Sequence, residues 1–499
     1  MKKNIKLYYN TISALILQLV SLVCGFILPK QILLYYGSDV NGLVVSITRF
    51  LSVISLLEMG IGPIIQFNLY KPLAEKNSEM ISKIIISSER FYRKIAFIFL
   101  IYIFGLIFIY PNINNEFNFY FTSSMIIIIS VSIFAQYYFG ITYQVFLNAD
   151  QKIYIHTTLQ ILTIILNTLF CIILMKLEYS IHIVKLVSAF IFIFRPLVQN
   201  IYVKKNYNLN LKIKFQKEPI KQKWNGFAQH IAAVVTSEID VFLLTWFIGY
   251  KSVSIYSTYF LVINGITQLV LMTFSGLETH WGNMYAKNEK KLLINSFEKS
   301  ELLIHSFVTF LYSTTAVLIA PFISVYVLGT RDENLYYLPF FGALATFAYA
   351  MRCLRIPYFS IIGAAGHYKE TQNGAFISMT INIFLSIFLI LKFQLIGVVI
   401  GTFFAMFYHT TYFVCYLQKN IIYYKLKKFL MYMILDFIGI IIIFCFSRYF
   451  SMNSKTYLSW IIYSIKISLI SLSCVSLIFG SFYYFNKNIG FKNRSNFNG

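Results

Sequence analysis

The sequence predicts an all-α polytopic membrane protein with about 14 transmembrane helices, and its composition and the spacing of its apolar runs support this. Apolar residues make up 58% of the 499 positions, only 12% are charged, and the mean hydropathy is +0.68. A soluble protein of this length needs more polar surface. The net charge of +23 does not indicate nucleic acid, because the basic residues lie mainly in short loops between apolar runs. We expect membrane lipid as a partner and no nucleic acid.

Runs of about 20 apolar residues are long enough to cross a bilayer. Six such runs precede a polar segment in the middle of the chain, at 11–36, 41–67, 91–110, 120–147, 155–176 and 180–202. Eight follow it, at 225–249, 253–276, 301–328, 335–362, 371–391, 395–417, 429–450 and 457–485.

The polar segment from Lys204 to Lys223 holds seven lysines. Each lysine would cost about 2.5–3.5 kcal/mol at the centre of a membrane helix, so we interpret the segment as a water-exposed link. The predicted domains are an N-terminal six-helix lobe at 1–203, a cytoplasmic basic linker at 204–223, and a C-terminal six-helix lobe at 224–418. Two additional transmembrane helices and a cytoplasmic tail follow at 419–499.

Weak internal similarity relates the two predicted lobes. LNADQK at 147–152 resembles GAAGHYK at 363–369, and MKLEY near Lys176 resembles LKFQL near Lys392. LYYGSDVNGLVVSI around Gly37 resembles WFIGYKSVSIYSTY around Gly249. The matches keep the same order at offsets of 212 to 216 positions. The pattern predicts that helices 1–6 and 7–12 are parallel repeats, in a MATE-like arrangement of two lobes.

Cations outnumber carboxylates inside the predicted spans, and intramembrane charges are functional candidates by default. Arg352 and Arg355 are three residues apart, which places them on one helix face, and Arg49 lies well inside the second span. We expect these arginines to contribute to a basic cavity lining.

Two further ionisable residues leave alternatives open. Lys30 follows Pro29, whose missing N–H predicts a kink beside the lysine. Glu58 is one carboxylate with which the cations could pair, in which case they would fix packing and bind no ligand.

The seventh predicted span carries a polar stripe. At 100° per residue, Asn225, Gln229, Thr236 and Asp240 share an arc, and Glu238 lies on the far side. Asp240 is therefore expected to face a cavity, either for substrate or ion handling or for an ion pair between the lobes.

Enzyme chemistry has little support in the sequence. The seven histidines show no HExxH spacing, the six cysteines show no CxxC spacing, and there is no GxxxxGK[ST] motif. We expect no ATP hydrolysis, no metal site, no cofactor and no catalytic residues.

Several segments resemble one family of transporters. They include GFILPKQILLYYGSDVNGLVVSITRFLSVISLLEMGIGP from Gly25, LYKPLAEKN from Leu69, SEIDVFLLTWFIGYKSVSIYSTY from Ser237, and AAGHYKETQ with the following INIFLSIFLILKFQLIGVVIGT up to Thr402. The chain resembles the Wzx-type oligosaccharide flippases of the multidrug/oligosaccharidyl-lipid/polysaccharide exporter superfamily.

This resemblance implies flipping of undecaprenyl-pyrophosphate-linked repeat units across the bacterial cytoplasmic membrane, for capsule, O-antigen or exopolysaccharide synthesis. It implies a lipid-linked oligosaccharide substrate, with the polysaccharide polymerase and glycosyltransferases of the same pathway as partners.

The family's cavity cations correspond here to Lys30, Arg49, Arg195, Arg352 and Arg355. Asp240 and Glu58 are the candidates for ion coupling or pairing between the lobes. One departure is that the repeat equivalent of Arg195 falls near His409, so the cavity charge is not symmetric.

Two other functions remain open. A cation-coupled multidrug exporter can share this fold, although buried carboxylates would suit cationic drugs better than buried cations do. A polysaccharide polymerase would be an enzyme and would need long external loops, whereas the loops predicted to be external here are short.

The first prediction is the topology. Loops on the side of the N-terminus hold 29 of the 42 basic residues and the opposite loops hold 6, so both termini and the link should be cytoplasmic. A cysteine replacing Asn210 should resist a membrane-impermeant thiol reagent in intact cells and react after permeabilisation. Labelling from outside would reverse the orientation.

Overall fold

The computed structural model describes residues 2–58, 60–210, 212–213, 220, 227–422, 424 and 426–495. The predicted link is therefore described only in part, and Asn225 and the side chain of Gln229 lie outside the described residues. Two compact units are present, Met1–Ser254 and Ile255–Gly499. The predicted domain bounds stay a prediction.

The first unit is helical throughout its described residues. Its helices are α1 (Lys2–Ser52), α2 (Ile61–Ala74), α3 (Ser78–Ile109), α4 (Phe119–Ala135), α5 (Ile141–Ala149), α6 (Ile153–Lys176), α7 (Ile181–Asn206) and α8 (Phe227–Phe247). Short 3₁₀-helices occupy Val53–Glu58 and Tyr110–Asn112, and a π-helical turn, Gln136–Gly140, joins α4 to α5. Helix α9 (Tyr250–Thr273) begins in this unit and continues into the second.

The second unit continues with α10 (Leu277–Ala286), α11 (Lys290–Tyr326), α12 (Pro339–Leu354), α13 (Ile356–Ala364), α14 (Gln372–Asn420), α15 (Leu426–Ser447) and α16 (Tyr457–Ser495). A 3₁₀-helix, Glu333–Tyr336, precedes α12. In the described part of the chain, ten helices are long and apolar enough to span a membrane. The all-α membrane class is confirmed, and the count of fourteen stays a prediction.

Helix α1 breaks at Gly37, in the gap at 37–40 between the first two predicted spans. Gly37 has φ 83° and ψ 178°, which lies outside the helical region and suits glycine, whereas Pro29 lies within the helix. The segment after Gly37 packs against α8 and the start of α9. Asn41 Nδ2 donates to Ser254 Oγ at 2.7 Å, and the hydroxyls of Ser46 and Thr245 are 2.6 Å apart.

Five helices end in the same way. A residue with positive φ follows the last turn, its N–H bonds three residues back, and the next N–H bonds five residues back. This is the Schellman arrangement, which satisfies the last carbonyl groups of a helix. The residues with positive φ are Lys76, Gln151, Glu178, Asn288 and Gly366.

These backbone features recur along the chain at the spacing of the sequence similarity. Pairs of residues with positive φ are Gly37 and Gly249, Lys76 and Asn288, Gln151 and Gly366, and Glu178 and Gln394. Their separations of 212, 212, 215 and 216 positions follow from the numbering. The positions of helix breaks and caps thus repeat along the chain, whereas the side chains at most of these positions differ.

Helix α11 is the most buried span of the second unit, with 61% of its most apolar window inside the protein. It packs against α12, α15 and α16. With 37 residues it is about 55 Å long, which exceeds the apolar core of a bilayer at about 30 Å. One end of α11 must therefore project beyond that core.

Helix α14 folds back on itself at Gln394, where φ is 50° and ψ is −127°. Glycines allow the two halves to approach. A Cβ at Gly397 would lie 2.3 Å from the carbonyl oxygen of Leu389, and one at Gly401 would lie 2.2 Å from Ser386 Oγ. The hairpin therefore depends on the absence of side chains at both positions.

The second prediction tests this close approach. Gly397→Ala should destabilise the protein by about 1–3 kcal/mol, since rigid backbone must move to admit a methyl group. Gly25→Ala is the control, because nothing lies within 4 Å of its Cβ and alanine favours a helix by about 0.5–1 kcal/mol. The measurement is thermal unfolding of the purified protein in detergent. Equal midpoints for the two variants would contradict the close approach.

Candidate functional site

Arg352 and Arg355 lie at a break between two helices of the second unit. Helix α12 ends at Leu354 and α13 begins at Ile356, because Pro357 has no N–H to continue the helical ladder. Both arginines are half-buried. Arg352 lies 5.9 Å from the ring centre of Tyr349, the tyrosine predicted on its face.

Arg355 has an imidazole partner on α14. Its Nη1 donates to His409 Nδ1, and its guanidinium lies 5.9 Å from the ring centre of Phe413. Because Nδ1 accepts this bond, the proton of the neutral ring is on Nε2. That Nε2 is buried and has no hydrogen-bond partner among the described residues. The pair thus presents a cation beside an unused N–H donor.

Arg195 of the first unit is hydrogen-bonded to a side-chain amide. Its Nη2 donates to Gln136 Oε1 at 3.1 Å, and Gln136 Nε2 donates to Gln144 Oε1 at 3.2 Å. Gln136 belongs to the π-helical turn, and such turns often occur at functional sites. Close by, Gln199 and His156 are hydrogen-bonded at 2.7 Å.

The two arrangements are related in part. Arg195 and His409 are 214 positions apart, which matches the repeat offset, whereas Gln136 and Arg355 are 219 apart, about one helical turn beyond the equivalent position. In each unit a residue at a helix irregularity is hydrogen-bonded to a residue on a later helix, and one of the two is an arginine. The arginine lies on the later helix in the first unit and at the irregularity in the second.

Arg49 has a carboxylate partner on α8. Its Nη1 lies 3.4 Å from both carboxylate oxygens of Glu238. Glu238 was predicted on the face of its helix opposite Asp240, and it faces α1. The helical angle of a residue describes its own helix, but neighbouring helices decide which face meets a partner.

The other predicted site residues have separate surroundings. Glu58 ends a 3₁₀-helix and accepts a hydrogen bond from the hydroxyl of Tyr137. Asp240 is 2% exposed on α8. Lys30 lies half-buried in the regular part of α1. The structure brings together Arg352 with Arg355, whose charges repel, and Arg49 with Glu238.

Sequence reasoning missed Gln136 and Glu238 as partners and treated His409 only as a gap in symmetry. The repeat offset, which relates Arg195 to His409, was a signal for His409 alone. No cluster of three or more histidine, cysteine or carboxylate residues that could hold a metal occurs in the described ranges.

Solved structures share this fold. Lipid II flippase MurJ in an inward closed conformation matches with a TM-score of 0.68 and 16% identity, over 95% of this chain and 98% of that chain. The chain shares the fold of this flippase.

Two other structures agree. A eukaryotic MATE transporter matches with a TM-score of 0.59 and 11% identity, over 84% of this chain and 96% of its own. A multidrug resistance MATE family transporter of the MOP superfamily matches in its inward-facing conformation with a TM-score of 0.54 and 12% identity, over 79% and 92%. No family model and no curated protein matches the chain.

The third prediction concerns the ion pair of Arg49. Arg49→Gln and Glu238→Gln should each destabilise the protein, and the double variant should recover part of the loss. The coupling should be about 0.2–1 kcal/mol, because the Arg49 side chain is 42% exposed. Thermal unfolding gives the double-variant cycle. Arg448→Gln combined with Glu238→Gln is the control and should be additive; additivity in the Arg49 cycle would show that the pair contributes nothing.

Proposed function

We propose that this protein flips undecaprenyl-pyrophosphate-linked oligosaccharide repeat units across the bacterial cytoplasmic membrane by alternating access. The observation that carries the proposal is the set of three arginines, Arg195, Arg352 and Arg355, within apolar helices. None of the three forms an ion pair with a carboxylate in the part of the chain that the structure describes.

Unneutralised cations favour an anionic ligand. A guanidinium surrounded by hydrocarbon is costly unless it is paired, hydrated or bound to a ligand of opposite charge. Pyrophosphate carries negative charge and several acceptor oxygens, and arginine binds such groups through two parallel N–H donors. The flippase fold over 95% of the chain supports the same substrate class.

The second unit offers the better phosphate site. Arg352 and Arg355 supply two positive charges close together, and His409 adds a buried Nε2–H donor without a partner among the described residues. In the first unit Arg195 adjoins the amides of Gln136 and Gln144, which suit sugar hydroxyls as well as phosphate. Lys30, Arg49, Glu58 and Asp240 are proposed to contribute charge to the same pathway.

The recurrence of positive-φ residues at offsets of 212 to 216 supports two six-helix repeats followed by two C-terminal helices. Parallel repeats provide two similar bodies that can move about a binding site between them, which is the general basis of alternating access. Capsule, O-antigen or exopolysaccharide pathways would supply the substrate, with a polymerase and glycosyltransferases as partners.

Export of cationic drugs is the second candidate, favoured by the fold similarity to MATE transporters. The surplus of arginines opposes it, since like charges repel a cationic substrate. Efflux of a fluorescent cationic dye from cells overproducing the protein would distinguish the two functions.

The fourth prediction tests the phosphate site. In the double variant Arg352→Ala, Arg355→Ala, repeat units should accumulate on the cytoplasmic face and polymer export should fall. Each lost contact should cost about 1.5–3 kcal/mol, or about 10- to 150-fold in binding. Lysine variants should keep partial activity, because they retain charge and lose the planar fork.

The control for this experiment is Arg448→Ala, which removes an exposed arginine at the end of α15. It should export polymer normally. Membrane levels of every variant are measured by immunoblotting. Normal export by a well-expressed double variant would show that these arginines do not bind the substrate.

A further inference from the structure

A second group of ionisable residues lies in the second unit, away from the arginines. Glu301 and His305 are one turn apart on α11, and Asp436 faces them from α15. Glu301 and His305 are 0% exposed and Asp436 is 4% exposed. Burial of three titratable groups together is costly unless their charges balance.

His305 is held by Asp436. Its Nδ1 lies 2.7 Å from Asp436 Oδ2, and Thr309 Oγ1 donates to Asp436 Oδ1 at 2.5 Å. Since both carboxylate oxygens accept, the Nδ1 atom carries a proton. The other ring nitrogen, Nε2, is buried and has no partner within the described residues. A second proton on this imidazole must therefore bind at Nε2.

The two carboxylate oxygens of Glu301 also differ in their hydrogen bonding. Oε1 accepts from the Tyr358 hydroxyl at 2.6 Å and from the Tyr424 hydroxyl. Burial raises the pKa of Tyr424 well above its ordinary value, so this hydroxyl stays protonated and donates. Oε2 is buried without a hydrogen-bond partner among the described residues. A proton on Glu301 therefore belongs on Oε2, because the lone pairs of Oε1 are occupied.

The first unit contains part of this arrangement, with an arginine in the place of the histidine. Glu89 and Arg93 precede Glu301 and His305 by 212 positions, and Tyr143 precedes Tyr358 by 215. Tyr143 donates to Glu89 Oε1 at 2.5 Å, and Arg93 Nη2 lies 3.2 Å from Glu89 Oε2. A permanent cation thus occupies the place that His305 takes in the second unit.

We propose that Glu301 and His305 form a proton-binding site, in which Asp436 orients the imidazole. A proton delivered by hydronium forms an O–H bond at Glu301 Oε2 and releases water. With His305 doubly protonated and Asp436 ionised, uptake changes the net charge of the three groups from −1 to 0. The neutral state is the one that a dry interior favours.

The neighbouring charges leave this balance in place. Lys428 of α15 acts on Glu301 and is paired with Glu298 at 2.9 Å. Tyr432 of α15 stacks on His305 with ring centres 4.9 Å apart. Tyr358 of α13 and Tyr424 before α15 also face Glu301, and Cys474 of α16 packs in the cluster that contains Tyr432.

We expect protons to reach Glu301 from the end of α11 that carries Lys290, Lys291 and Lys299. Glu301 lies less than one turn beyond Lys299. The predicted topology places that end on the cytoplasmic side. Protons would therefore exchange with the cytoplasm. The proposal concerns proton binding alone and does not depend on the identity of the transported substrate.

Infrared difference spectroscopy of the full-length protein in an ester-free detergent tests the site. Between about pH 5 and pH 9, a range that spans shifted histidine and carboxyl groups, the carbonyl band of a protonated carboxyl should disappear as pH rises. Glu301→Gln should abolish the titrating band. His305→Gln should move the loss of the band to higher pH, because Glu301 then lacks the neighbouring imidazolium charge that favours its ionised form.

One variant of the first unit provides a matched control. Glu89→Gln should leave the titrating band unchanged, because the proposed site lies in the second unit. Size-exclusion chromatography checks folding of every variant. A folded wild-type protein without a titrating band would overturn the proposal. So would a band that persists in Glu301→Gln or, if that variant fails to fold, an unchanged titration in His305→Gln.

Discussion

The cost of placing charge in a hydrocarbon environment governs the interior of this protein. Several ionisable side chains within the described apolar helices are compensated by a particular neighbour, and the compensation differs in strength. Arg49 has a carboxylate, Arg195 has an amide, and Glu58 and Glu89 have tyrosine hydroxyls. Arg352 and Arg355 have only aromatic rings and one imidazole among the described residues. A ligand of opposite charge would stabilise the protein most at a side chain that lacks such a partner.

The two units have similar backbones but different ionisable side chains. Helix ends, caps and residues with positive φ recur at 212 to 216 positions, because they depend on local backbone geometry. Charges do not recur in the same way. His305 stands where Arg93 would be expected, and His409 stands where Arg195 would be. Each exchange alters the charge or its titration without changing the helices, so the two units can differ in function while sharing a fold.

The sequence predicted the helices better than their partners. Apolar runs predicted α6 and α7 to within a few residues, because length and hydropathy determine a span. The break at Gly37 falls in the gap at 37–40 between the first two predicted spans. The pairing of Glu238 with Arg49 was not predicted, because a helical wheel contains no information about the adjacent helix. Pairings such as Arg355 with His409 require the tertiary structure.

Backbone irregularity and charge point to the same residues independently. Interrupted helices at membrane depth expose carbonyl and N–H groups, which is tolerated where they are buried in protein or line a polar cavity. Gln136 lies in the π-helical turn and Arg355 at the junction of α12 and α13. Each of these residues is also one member of a pair that contains an unneutralised arginine. Packing alone requires neither an interrupted helix nor a cation at these positions. Their coincidence in both units is what a polar ligand inside the membrane would require.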